Sequence, residues 1–137
     1  MANILITTTA NCDLIRAAID TSLTAEALPN ATIALDVYLG AAERYVKARE
    51  TAWASRTGDE LTALKTAVAY LTAARLAPAV PQIVDAKDRD LSRRLQERDM
   101  MALAAALRGY ADTELQTLVV DDVRPTMFAR ATGRRGQ

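Results

Sequence analysis

Two stretches set the pattern of this chain. Residues 28–46 (Leu28-Pro29-Asn30-Ala31 through Tyr45-Val46) and 67–77 (Ala67-Val68-Ala69-Tyr70-Leu71-Thr72-Ala73-Ala74-Arg75-Leu76-Ala77) are apolar almost all round. A helix with so little polar surface is buried on more than one side. A neighbouring subunit is a natural supplier of that cover. The first stretch predicts a helix over 31–54, with Asn30 as its cap after Pro29 disfavours helix at Leu28. At about 100° per residue, Ile33, Val37, Ala41, Ala48 and Ala52 fall on one side and Leu35, Leu39, Ala42, Val46 and Trp53 on another. The polar wedge between them is Asp36, Gly40, Glu43, Lys47 and Glu50. Glu43 and Lys47, four apart, read as an ion pair on its solvated edge.

The remaining pattern is helical too. Ile4-Leu5-Ile6-Thr7-Thr8-Thr9 is short and β-branched, a strand or an extended arm. Asn11 is placed to cap a short helix over 12–20 whose stripe is Leu14, Ile15, Ala18 and Ile19. Thr57-Gly58 stops the second helix, and Thr57 or Asp59 caps a third over 59–77. Pro78 and Pro81 end it, and 78–84 reads as a loop or short edge strand. Residues 85–99 alternate five acids with five bases, a solvated loop or helix extension. The last helix, over 98–119, shows the best single stripe: Met100, Leu103, Ala104, Leu107, Ala111, Leu115 and Leu118. Leu91 and Leu95 are out of phase with it, which places a break near Glu97 to Asp99, with Asp99 as a cap.

The expected fold is therefore all-α: a small bundle of about four helices, with a long loop before the last one. A helical domain over 1–120 is followed by an extended C-terminal tail over 121–137, which has Pro125, Gly133 and Gly136 and no periodic apolar face. Beyond Asp122 the tail carries Arg124, Arg130, Arg134 and Arg135 and no acid, with Met127 and Phe128 among them. It reads as a disordered terminus or as a peptide that orders on a partner. Because the last helix has a one-sided stripe and closes much of the core, the apolar surplus is confined chiefly to the second helix.

Composition narrows the chemistry. A chain of 137 residues is one domain by size. Seventeen acidic and seventeen basic residues cancel, so there is no global attraction to nucleic acid or anionic membranes. The N-terminus lacks a basic leader and no stretch reaches membrane-span length, so neither export nor membrane insertion is expected. Cys12 is alone, which excludes an internal disulfide and a multi-cysteine metal site. The chain has no histidine, the commonest acid–base group near neutral pH. The di-metal bundle signature, which needs one, is excluded. No glycine-rich phosphate loop, GxSxG or CxxC is present. A Glu43–Glu114 pair facing across the bundle is what remains for carboxylate chemistry. No cofactor and no metal are expected, and the chain is not expected to be an enzyme.

The order of features carries a resemblance: a short first helix, Leu28-Pro29-Asn30, then Tyr38-Leu39-Gly40-Ala41-Ala42-Glu43-Arg44-Tyr45-Val46, then Ala67-Val68-Ala69-Tyr70-Leu71-Thr72-Ala73-Ala74, and the final Leu103/Leu107/Leu115/Leu118 helix. Over roughly residues 12–119 the chain resembles the head-to-tail connector, or neck adaptor, proteins of tailed bacteriophages. The resemblance implies a subunit of a ring, usually dodecameric, beneath the portal protein at the capsid vertex, extending a channel through which DNA passes without sequence-specific binding. It implies a virion protein made in the bacterial host cytoplasm. Its partners would be the portal, a stopper or tail-completion protein and its own copies, with no membrane. By position, Arg124, Met127, Phe128, Arg130, Arg134 and Arg135 are then the portal-docking tail. Leu35, Leu39, Val46 and Trp53 are the expected subunit interface. The alternatives are a helical interaction or regulatory module and a carboxylate-based helical enzyme.

Overall fold

In the computed structural model the backbone is described over residues 3–135 and side chains over 3–118. The all-α expectation holds, and among the described residues there is no strand. Helix α1 spans Thr9–Ile19, α2 Asn30–Ile33, α3 Ala41–Arg49, α4 Gly58–Leu76, α5 Val80–Asp85, α6 Arg89–Gln96 and α7 Met100–Arg135. A π-turn, Asp36–Gly40, leads into α3, and a 3-10 turn, Trp53–Ser55, follows it. Helix α4 is the spine, packed against α1, the π-turn, α3 and α7, while α5 and α6 pair with each other. Its own chain thus supplies the cover that its near-continuous apolar surface demands: Leu64, Ala67, Val68, Ala73, Ala74 and Leu76 are buried.

The helix expected over 31–54 is broken, and core geometry gives the reason. On one continuous helix Ile33 would lie about 145° from the centre of the stripe of Leu39, Ala42 and Val46. Leu35 instead adopts extended backbone (φ −60°, ψ 149°), and the π-turn resets the phase. Ile33, Leu39, Ala42 and Val46 then all reach the core. Asn30 does not cap this segment. It is the first residue of α2, and its Oδ1 accepts from the Arg16 guanidinium.

Other boundaries shift for local reasons. Thr8, not Asn11, caps α1, its hydroxyl accepting the Asn11 amide, while the Asn11 side chain donates to the Ile6 carbonyl. Of the segment 4–9, residues 4–8 are an arm and not a strand, with Ile4 and Leu5 buried, and Thr9 already opens α1. Pro81 opens α5, replacing the expected loop, since its missing amide costs nothing in a first turn. Asp88 caps α6 through the Leu91 amide, and Leu91 and Leu95 are buried in their own register. The predicted break follows, and the Asp99 carboxylate accepts the Ala102 amide at 2.9 Å as α7 begins.

Helix α7 buries the expected positions Met100, Ala104, Leu107, Ala111, Leu115 and Leu118. It does not end near Val119 but runs to Arg135. Pro125, part of the signal for a non-helical tail, lies within it. At 36 residues α7 is about 54 Å long, against about 28 Å for the 19 residues of α4.

Candidate interaction surfaces

Glu43 was expected on a solvated edge and is instead 3% exposed. Its Oε1 accepts the Ile4 amide and its Oε2 the Leu5 amide, each at 2.8 Å. Lys47 Nζ lies 3.6 Å from Oε1 and 4.5 Å from the centre of the Trp53 ring. One helical turn of α3 thus anchors the N-terminal arm, and Trp53 shields the ion pair. Each carboxylate oxygen of Glu43 thus carries one amide of the arm. Among the described residues no group of three acidic or cysteine side chains is placed to hold a metal ion.

A second buried charge fixes the next loop. Arg16, 1% exposed, donates from Nε to the Leu28 carbonyl at 2.8 Å and from Nη1 to Asp13 at 2.5 Å, besides its bond to Asn30. Its sequence signal was its place in the buried register Cys12, Ile15, Arg16, Ile19 of α1. The Cys12 thiol beside it is fully buried, and that burial, with Asp13, pushes its pKa up against the opposing effect of Arg16.

The arm, α1 and α4 frame an apolar groove of about 550 Å³. Leu5, Leu14, Ala18, Ala69 and Tyr70 form its walls, and Lys65 stands on its edge. Leu14, expected in the core stripe of the first helix, is 65% exposed here. A smaller cleft of about 270 Å³ lies among α3, α4 and α7, with Ala42, Leu71 and Ala74 as its apolar lining and Tyr45, Arg75, Arg108 and Asp112 around them. Asp112 is held by Arg49 at 2.6 Å and by the Tyr45 hydroxyl at 3.3 Å. Tyr45, against the cost of burial, and then Asp112 push the Arg49 pKa up. Arg75 and Arg108 remain exposed.

The two concavities sit on opposite faces of the spine. Thr62, Lys65, Thr66, Ala69 and Tyr70 of α4 line the groove, whereas Leu71, Ala74 and Arg75 line the cleft. Their mean directions differ by roughly 165° around the helix axis.

Of the expected interface residues, Leu39 and Val46 are spent in the subunit's own core and Trp53 is half-buried over Lys47. Leu35 is 51% exposed, and Val37, assigned by sequence to the other side of the helix, is 61% exposed. The break before the π-turn inverts that expected face, because it turns Leu39 inward and leaves 34–37 as an exposed run. The tail residues Arg124, Met127, Phe128, Arg130, Arg134 and Arg135 fall outside the described side chains. No protein-family model, curated protein or solved structure matches this chain.

Proposed function

We propose that this chain is a structural adaptor of the tailed-phage neck, a subunit that closes head-to-tail into a ring on the portal and continues the DNA channel toward the tail. The observation that carries the reading is the pair of unlike surfaces on opposite faces of α4, an apolar groove and a cationic cleft. A head-to-tail ring uses two different faces of each subunit, whereas a two-fold dimer uses one self-complementary patch.

The length of α7 supports the same reading, because about half of it extends beyond what α4 can cover. That distal half carries Arg124, Met127, Phe128, Arg130, Arg134 and Arg135, the mix of apolar and cationic groups suited to docking on a portal. The adaptor would meet the portal at one end and a stopper or tail-completion protein at the other. In this reading the chain works by binding alone, without cofactor or metal.

The test is to incubate the protein with portal rings and image the complexes, then repeat after deleting residues 124–137. A ring of density on the portal that disappears with the deletion is expected. Failure to bind portal, or binding unchanged by the deletion, refutes the proposal.

A further inference from the structure

The groove between α1 and α4 is open, apolar and uncovered by any described part of the subunit. Its volume, about 550 Å³, is in the range that takes ligand-sized groups. Lys65 on its edge is exposed and has no acidic partner among the described residues. Aliphatic side chains with an acid beside them would complement this groove.

Such a segment is displayed by the chain itself. Leu35 and Val37 are more than half exposed, and Asp36 stands between them. The segment is a built protrusion. Leu35 is extended, the π-turn begins at Asp36, and Arg44 holds the Asp36 carboxylate at 2.7 Å. Gly40 keeps the turn tight, since a Cβ there would meet Asp36 Oδ1 at 2.2 Å. The protrusion leads directly into α3, whose Ala42 and Tyr45 line the cleft on the opposite face of α4 from the groove. None of its residues lines the groove of its own subunit.

We propose that the groove receives the Leu35-Asp36-Val37 protrusion of a second copy of this chain, with Leu35 and Val37 against Leu14, Ala69 and Tyr70 and Asp36 facing Lys65. The proposal rests on the ring reading above and names its lateral contact. Protrusion and groove are different surfaces, so the contact is heterologous and propagates from subunit to subunit. Leu14 and Val37 are among the exposed large apolar side chains of the described residues, and this contact buries both.

Cysteine cross-linking on the full chain bound to portal rings tests it. Native Cys12 is fully buried and stays out of the reaction. A chain carrying both Val37→Cys and Ala69→Cys should give an oxidised ladder of dimers, trimers and higher species. Mixing a Val37→Cys chain with an Ala69→Cys chain should stop at the dimer. The Leu14→Asp substitution in the double-cysteine chain, at an exposed position that leaves the core intact, should cut ladder formation at least tenfold. A ladder no stronger than that of a Val37→Cys/Thr113→Cys control, or dominant Val37→Cys homodimers, overturns the proposal. Rings on the portal without this cross-link overturn the groove contact while leaving the adaptor reading standing. Absence of any assembly overturns both.

Discussion

Replacing Glu43 by alanine tests the claim that a single buried carboxylate anchors the N-terminal arm. Glu43 accepts the Ile4 and Leu5 amides at 2.8 Å each. A buried amide left without an acceptor costs about 1–3 kcal/mol. The Lys47 pair adds little, because Lys47 keeps part of its surface in water and its place over Trp53. Two orphaned amides then amount to about 3 kcal/mol, in a domain whose total stability is on the order of 10 kcal/mol. The chain has one way to limit that loss, which is to release the arm and hydrate the amides. Release exposes Ile4 and Leu5, at about 1.5–3 kcal/mol for each side chain, so the two routes cost similar amounts. Urea unfolding followed by circular dichroism measures the stability loss, and amide exchange at Ile4 and Leu5 separates the routes. Glu43→Gln keeps one acceptor oxygen and sets an amide nitrogen against the other donor, so about half the effect is expected. A Glu43→Ala protein within about 0.5 kcal/mol of wild type, with Ile4 and Leu5 still protected, would refute the anchoring argument.

Other substitutions probe separate features. Arg16→Lys keeps the charge but loses the planar fork that reaches Leu28, Asp13 and Asn30 together, and a loss of about 2 kcal/mol is expected in urea unfolding. Gly58 has φ +62° with open space where a Cβ would stand, so Gly58→Ala should cost about 1–2 kcal/mol from backbone conformation alone, and Gly58→Asn should recover part of it. Burial pushes the Asp20 carboxyl up, but the Ser22 hydroxyl and amide, then Arg98 and Arg94, outweigh it and hold its pKa below the ordinary value. A depressed folded-state pKa gives stability that is present above the unfolded value of about 3.9 and is lost as pH falls through the folded value. Wild type should therefore exceed Asp20→Asn in urea midpoint at pH 6, and the gap should close on acidification. A gap independent of pH would show that the carboxylate charge is not its source.

Much of the local structure was legible because it depends on near neighbours. The register of α7, the limits of α4 within a residue and the break at Glu97 to Asp99 follow from periodic leucines and alanines, from Thr57-Gly58 and Pro78, and from the Asp99 cap. Asn11 and Asn30 do not cap their helices, for a different reason. Each sits at a position where an asparagine caps a helix well, but tertiary partners, the Ile6 carbonyl for one and Arg16 for the other, hold the side chains. The expected interface is half inverted, since the π-turn and α3 carry Leu39 and Val46 into the core, Leu35 stays outside on extended backbone, and Trp53 lies in a separate 3-10 turn beyond the end of α3.

The sequence by itself determined that this protein is helical, where its longest helices begin, and that its apolar surface exceeds what a one-sided stripe would bury. Those are properties of residues three and four apart, read from composition and period. Tertiary structure alone decided which charges are buried and which apolar groups are left out. Glu43 reads as a surface residue until the amides of an arm 38 and 39 residues away in sequence close on its carboxylate. Leu35 and Val37 read as opposite sides of one helix until Ile33 and Leu39 both demand the core. Bringing them in on one side requires an irregular backbone, and that irregularity is what pushes the protrusion into solvent.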